Sequence, residues 1–562
     1  MAYTTTDHVL RQWDGWQDRL ILTVPPASLP LVRPAQLRLW PPAFHATKTI
    51  SSGYRAIMKY FLAAFAVVSL PAAADEPIDI GSRQELMIDD YLIDSMSDSL
   101  RLQMHKPVRR NVALVTDAPW EGNACAYSSL FHDGDKFRMY YTTNHYVNRK
   151  GRIEEPHGRH LCYAESKDGI QFTRPKLGLV EFDGSKQNNI ILSADTISGV
   201  RLDPGHVTIL KDANPDCPPD ARYKALCRSP VKGKLGLFVL KSADGLQFSP
   251  LSDGRVITDG YFDSENLAFW DAERGEYRAY FRDFQDGPPG GGGLRGIKTS
   301  TSPDFINWSK GQWLEYPSAS PEALYTNQIA PYARAPHIFI GFPKRYVDRG
   351  WVDSTGKLPG LEERKARAAA HPRYGSVVTD AVMMTSRDGL TFKRWGEAIL
   401  RPGPSQTNSW VYGDNLISWG MLTTKSDMPQ SPDELSIYAI EGYWTGKSQN
   451  FRRYTFRMDG FVSIQAPLSG GEFVTKPIVF QGDRLEINYS TSAAGSIHVE
   501  IQDAKGKPIA GRSLADCHEI FGDQIERTVA WKNGETMKQH AGTPVRLRFV
   551  LKDADLFSFR FH

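Results

Sequence analysis

A seven-residue motif recurs through the middle of the chain and limits what it can fold into. Ser166-Lys167-Asp168-Gly169-Ile170-Gln171-Phe172 returns as Ser242-Ala243-Asp244-Gly245-Leu246-Gln247-Phe248, then as Ser302-Pro303-Asp304-Phe305-Ile306-Asn307-Trp308, and again as Ser386-Arg387-Asp388-Gly389-Leu390-Thr391-Phe392. A weaker copy, Met458-Asp459-Gly460-Phe461, ends the series. The aspartates stand 76, 60, 84 and 71 residues apart. Asp accepts backbone N–H bonds, Gly takes a positive φ, and the aromatic packs back between sheets, so the motif reads as a tight turn with a structural role.

Each copy follows a β-rich run such as His160–Glu165, Leu235–Lys241 or Ala381–Thr385. Hairpins lie between the copies. Ser128–Phe131 meets Lys136–Thr142 across His132-Asp133-Gly134-Asp135, and Asn266–Trp270 meets Glu276–Phe281 across Asp271–Gly275. A unit therefore holds about four strands, too few to bury both faces alone, and must stack beside its neighbours. Five units fill residues 105–467, and no sixth is found. The expected fold is all-β: a five-bladed β-propeller followed by a C-terminal β-sandwich. Residues 75–104 read as lead-in strands. After Ser469-Gly470-Gly471, residues 472–562 read as the sandwich, because Leu485–Ser490, Ser496–Asp503 and Val545–Leu551 alternate apolar and polar residues. Asp286–Gly296 reads as a rim loop, since its glycines lack the G-K-[ST] ending of a phosphate loop. Leu358–Ala370 reads as a short helix inserted in the fourth unit.

Charge excludes one class of partner. Residues 1–57 hold six Lys/Arg against three Asp, and from Asp75 onward 60 basic residues meet 61 acidic ones. A near-neutral body without a basic stripe argues against nucleic acid. Met58-Lys59 followed by the apolar Tyr60–Leu70 and then Ala72-Ala73-Ala74 reads as a signal peptide over 58–74. The expected product is exported, with no stable membrane span after cleavage, and residues 1–57 read as an upstream over-extension or tail. Five cysteines (Cys125, Cys162, Cys217, Cys227, Cys517) show no zinc spacing and read mainly as small buried side chains, with a Cys217–Cys227 bridge as the alternative. No metal or other cofactor is called for, and the oligomeric state stays open.

On its turn motifs, blade length and propeller-then-sandwich order, the chain resembles the five-bladed β-propeller superfamily of glycoside hydrolase families 32, 43, 62 and 68. It looks closest to a group of exported bacterial proteins sharing segments like Ala118-Pro119-Trp120-Glu121-Gly122-Asn123 and Leu324-Tyr325-Thr326-Asn327-Gln328-Ile329. The resemblance implies acidic residues at the starts of the innermost strands, projecting into a central pocket that holds a carbohydrate. By position those are Glu121, Asp263 and Asp414, with Asp263 and Glu121 flanking the scissile bond and Asp414 as third carboxylate. The W-M-N-D-P-N-G, R-D-P and E-C boxes of family 32 are absent, so these are analogues by position only. Trp120, His145, His206, Arg282, Tyr325 and Asn327 are the expected sugar contacts, planar polar groups beside aromatics. The implied activity is an exported glycosidase. The alternative is a propeller that binds carbohydrate, or another surface, without cleaving it. A sialidase-like enzyme would need three arginines in the pocket, of which Arg282 and Arg345 are candidates.

Overall fold

The computed structural model describes residues 76–193, 197, 202–229, 235–287 and 292–562. The expectations for residues 1–57 and for the signal peptide at 58–74 lie outside the described residues.

The five units are five separate antiparallel sheets, four of them four-stranded and the fourth, which opens with Ala330–Tyr332, of five strand segments. Blade 1 runs Ser128–Asp133, Lys136–Thr143, His160–Ser166 and Ile190–Ser193, and blade 2 runs Val207–Lys211, Tyr223–Arg228, Leu237–Ser242 and Ser249–Pro250. Blade 3 runs Leu267–Asp271, Glu276–Gln285, Leu294–Ser302 and Gln312–Trp313. In blade 4 the second strand is broken at Phe342-Pro343. Ala335–Gly341 and Lys344–Asp348 pair in succession with the same edge of Val377–Ser386, which pairs with Lys393–Leu400 on its other edge. Blade 5 takes Leu422–Thr424, Glu434–Glu441 and Asn450–Arg457 from its own stretch of chain. Its fourth strand, Val108–Val115, comes from before blade 1 and closes the ring. The first strands line the axis. Ile209 N–H donates to Ser129 Oγ at 3.2 Å, Leu130 N–H to Trp419 O at 2.8 Å, and Trp419 Nε1–H to Ile329 O at 2.9 Å.

The repeated turns latch each blade to the one before it. In all four full copies the Ser hydroxyl donates to the Asp carboxylate at 2.8–3.0 Å, and that carboxylate accepts two following backbone N–H groups. The left-handed position belongs to Gly169, Gly245 and Gly389, while Phe305 adopts it (φ 68°) in the third copy. The blade 4 turn receives Tyr280 OH of blade 3 on Gly389 O at 2.8 Å. The blade 1 turn receives Tyr438 OH of blade 5 on Gly169 O, and the blade 2 turn receives Arg138 Nη1 of blade 1 on Asp244 O at 2.6 Å. A Cβ at position 389 would lie 2.9 Å from Tyr280 OH, so glycine is required there by contact as well as by φ. The weak copy does the same work by other means: Asp459 accepts Tyr332 OH of blade 4 at 2.6 Å, and also Ser558 Oγ at 2.9 Å.

The C-terminal sheet is not purely C-terminal. The expected lead-in strands pair into it: Ile78–Gly81 runs parallel to Ile478–Phe480, Ile93–Met96 antiparallel to Gly471–Thr475, and Arg101–Met104 antiparallel to Val462–Ala466. Two long strands, Leu485–Asp503 and Val545–Phe561, pair with one another and break register together between Thr491 and Ser496, opposite Asp553 (φ 42°). The sheet folds over at that level and encloses one apolar cluster around Ile487, Val499, Trp531, Phe549 and Phe559.

Other expectations meet a plain outcome. All five cysteines are free, so the Cys217–Cys227 bridge is not formed, and four of the five are buried. The helix forms at Leu361–Ala370. The rim loop is shorter than expected, because Leu294–Gly296 already belong to a strand. Among the described residues no helix is long and apolar enough to cross a membrane, and no cluster of three or more His, Cys, Asp or Glu is placed to hold a metal ion.

Candidate functional site

The segment entering each first strand carries one residue of a cluster at the propeller axis. Blade 1 supplies Tyr127, blade 2 His206, blade 3 Asp263, blade 4 Tyr325 and blade 5 Tyr412 with Asp414. The chain of contact is continuous. The Tyr127 and His206 rings lie 5.2 Å apart, His206 Nε2 is 3.2 Å from Asp263 Oδ1, and Tyr127 OH bonds Tyr325 OH at 3.2 Å. Arg282 lies over the Tyr325 ring at 5.3 Å, and Lys344 lies between Tyr325 (4.6 Å) and Tyr412 (5.9 Å).

Local backbone aims these groups. Asp203-Pro204-Gly205-His206 is a turn in which His206 N–H donates to Asp203 O at 2.9 Å and His206 Nδ1 meets Asp203 Oδ2 at 2.9 Å. His206 is thus gripped on both ring nitrogens by carboxylates. At Phe262 the backbone takes φ 24°, uncommon for a residue with a Cβ, and buries the ring completely while turning Asp263 out of the sheet. Asp263 is ringed by protein, yet 37% of its side chain is open to solvent, which places it on the wall of a crevice.

Three basic side chains meet the Asp263 carboxylate: His206 Nε2, Arg228 Nη1 at 3.4 Å, and Arg282 Nη2 at 3.2 Å. Burial pushes this acid up, but the hydrogen bond from His206 and the charges of Arg282, His206 and Arg228 outweigh it and hold Asp263 well below the usual carboxylate range. Asp414 is its opposite. Burial drives it well above that range, and its only strong donors are backbone amides such as Tyr443 N–H at 2.8 Å. The two carboxyls are shifted in opposite directions, Asp263 toward the ionised form and Asp414 toward the protonated one, the kind of separation that acid/base chemistry uses. Burial also pushes Lys344 down to about 7.

The inserted helix roofs one side of this end of the propeller. Arg364 Nη2 donates to Trp410 O at 2.5 Å and Arg367 Nη1 to Trp444 O at 3.2 Å, while Asn148 of blade 1 bonds Ala366 O. Tyr374 then packs on both Tyr412 (5.4 Å) and Trp444 (5.2 Å).

Of the residues expected from the sequence, the structure brings His206, Asp263, Arg282 and Tyr325 together, with Asp414 beyond Lys344. Glu121 is elsewhere in function: fully buried, it accepts Tyr141 OH and Ala118 N–H (2.9 Å) and pairs with Arg174 at 3.1 Å. These are partners typical of a structural carboxylate, and none of them belongs to the Asp263 cluster. Trp120 is directed to Asn189 Oδ1 (2.6 Å) and Phe182, and His145 stacks on His157 at 6.3 Å. Asn327 is 1% exposed and caps backbone groups. Arg345 is consumed by Asp380 and Glu322. Asp203, Arg228, Tyr127, Lys344 and Glu265 were missed. Asp203 could have been found from the D-P-G-H turn. Nothing local marks Arg228 or Lys344, which sit on second strands.

No family model matches the chain, and no curated protein does. Among solved structures it is similar to an N-acetylgalactosamine deacetylase from F. plautii in complex with blood group B trisaccharide (12% identity, 63% of this chain and 96% of that one, TM-score 0.39). It is similar also to a glycosyl hydrolase from Bacteroides ovatus (14%, 64% and 96%, 0.36) and to an endo-arabinase from Bacteroides thetaiotaomicron (10%, 62% and 98%, 0.37). Likeness at this level carries no argument about activity, which rests on the axial cluster. Two open surface depressions lie elsewhere, one in the sandwich near Arg101 and Asp555 and one along Val112–Val115. Neither gathers residues from more than two sheets, whereas the axial cluster draws on five.

Proposed function

We propose that this chain is an exported glycosidase working at the propeller axis, with Asp263 as the ionised carboxylate and Asp414 as the proton donor. The reading is supported by two carboxyls in opposed environments on one cluster of tyrosines and arginines fed by all five blades, Asp263 among the guanidiniums of Arg228 and Arg282 and Asp414 buried against backbone amides. Glycoside cleavage needs that pair: an acid to protonate the leaving oxygen and a base or nucleophile on the other side of the bond. His206, held by Asp203, fixes the orientation of Asp263, while Tyr127 and Tyr325 offer hydroxyls and a ring face to the sugar.

The test is hydrolysis of a panel of polysaccharides and aryl glycosides by the protein, beside Asp263→Asn and Asp414→Asn. Release of reducing sugar, lost in both variants with circular dichroism unchanged, supports the assignment. Activity surviving in Asp263→Asn refutes it.

A second reading has its own observation. Asp263 is occupied by His206 and two arginines, and Asp414 is only 5% exposed, an arrangement suited to holding a sugar without attacking it. Saccharide binding without turnover by the wild-type protein selects this reading.

A further inference from the structure

Most arginines in the blades have acidic partners. Arg345 meets Asp380 and Glu322, Arg387 meets Glu85 and Asp89, and Arg138 meets Asp133. Beside the axial cluster that rule fails three times in one place. Lys344, 4% exposed, has its Nζ over the Tyr325 ring and, among the described residues, no carboxylate within ion-pair distance. Arg295 lies 4.1 Å over the Tyr346 ring and 5.9 Å from that of Tyr325, with its Nε buried and unbonded. Arg373 lies 5.2 Å over Tyr374, its Nε also buried and unbonded. Tyr346 joins them: its ring stacks on Tyr325 at 6.2 Å and meets Tyr412 at 6.1 Å, and the charges of both Arg373 and Arg295 act on its hydroxyl.

Asp414, whose charge acts on Lys344, makes no ion pair with it and is itself pushed toward its neutral form by burial. Two guanidiniums and an ammonium that burial pushes down to about 7 share this wall of tyrosines, and among the described residues none of the three makes an ion pair with a carboxylate. Aromatic faces offset part of that cost. The balance is completed when an oxyanion enters, and guanidinium and ammonium donors in a partly dry site are well suited to grip one.

We propose that Arg295, Lys344 and Arg373 form a subsite for an anionic substituent carried by the glycan, a uronate carboxylate or a sulfate ester. The inference rests on the carbohydrate reading of the axial cluster and adds the class of sugar. The Tyr325, Tyr346 and Tyr412 rings flank the pyranose while the three cations hold its charge, so the acidic sugar sits next to Asp414.

The test is calorimetric titration of the full protein with trigalacturonate, with a sulfated chondroitin disaccharide, with the methyl-esterified and desulfated counterpart of each, and with inorganic phosphate. The expected result is that one anionic saccharide binds at least tenfold more tightly than its neutral counterpart. That advantage weakens with added salt and is lost in both Arg295→Gln, at a half-buried strand end, and Lys344→Met. Equal binding of charged and neutral forms overturns the anionic subsite and leaves the carbohydrate site standing. Phosphate binding as tightly as the saccharide assigns the cations to a free anion and overturns the proposal. Failure of every saccharide to bind overturns this inference and the carbohydrate reading together.

Discussion

Glu265 offers the sharpest test of how the axis is built. It enters the first strand of blade 3, is 1% exposed, accepts Gln328 Nε2 of blade 4 at 2.5 Å on one oxygen, and leaves the other buried without a hydrogen bond. Burial, only partly opposed by the Gln328 and Ser128 donors, raises this acid well above its ordinary value. Its charged form is therefore disfavoured in the folded protein relative to the unfolded chain. A carboxyl whose folded value is raised contributes most below its unfolded value, and stability is lost as pH climbs toward the folded value. Glu265→Gln keeps the shape and removes the titration. Above the unfolded value the wild-type protein loses up to about 1.4 kcal/mol per pH unit through this group, so the variant should gain on it steadily between pH 4.5 and 6.5. Urea denaturation of both proteins at pH 4.5, 5.5 and 6.5, followed by tryptophan fluorescence, reads the difference directly, and every other titrating group cancels. A difference flat in pH, or one growing toward acid, would mean that Glu265 is ionised in the fold and that the reasoning is wrong.

Three further outcomes are expected. Tyr280→Phe removes the donor to Gly389 O across the blade 3–blade 4 boundary and should cost about 1–3 kcal/mol in chemical denaturation, with Gly389→Ala at least as costly because both φ and contact oppose a methyl there. Glu85 joins the N-terminal strands to blade 4: burial pushes it up, but His337 and the Arg387 charge bring it to about 2, so its contribution is present above about pH 4.5 and lost as pH falls toward 2. Glu85→Gln should then destabilise by about 3 kcal/mol at pH 7 and much less at pH 3, measured by thermal unfolding at the two pH values. If Asp263 and Asp414 act as proposed, kcat/KM stays flat through pH 4–6 on the acid side and falls only where Asp414 ionises, well above the ordinary carboxylate range. A descending limb near pH 4 would point to a different base.

What the sequence disclosed follows from the range of the forces involved. The turns at Asp168, Asp244, Asp304 and Asp388 are made by residues within three positions of each other, so their chemistry is written locally, and blade count follows from it. The partners of those turns are not local: Tyr280 reaches Gly389 across 109 residues, and nothing near either marks the pair. Glu121 and Asp263 look alike in sequence, each a carboxylate beside an aromatic before a strand. They are separated by Arg174, which captures the first, and by the left-handed turn at Phe262, which exposes the second. The alternation in residues 485–503 and 545–561 announces strands but not that residues 78–104 complete their sheet.

The strand Val108–Val115 belongs to the last blade, and its partner in Asn450–Arg457 lies more than three hundred residues downstream. Made first and satisfied last, it holds an open row of backbone donors and acceptors while four blades are laid down, roughly 20–70 s at ordinary rates of synthesis. Its own sequence is suited to the wait: Arg109, Arg110 and Asn111 break the apolar run and discourage pairing with another chain. The same arrangement makes the finished ring all-or-none. A nascent chain stopped anywhere before Arg457 has no route to a closed propeller, so this protein should leave a ribosome or a translocation channel with its stability still to be gained in one late step.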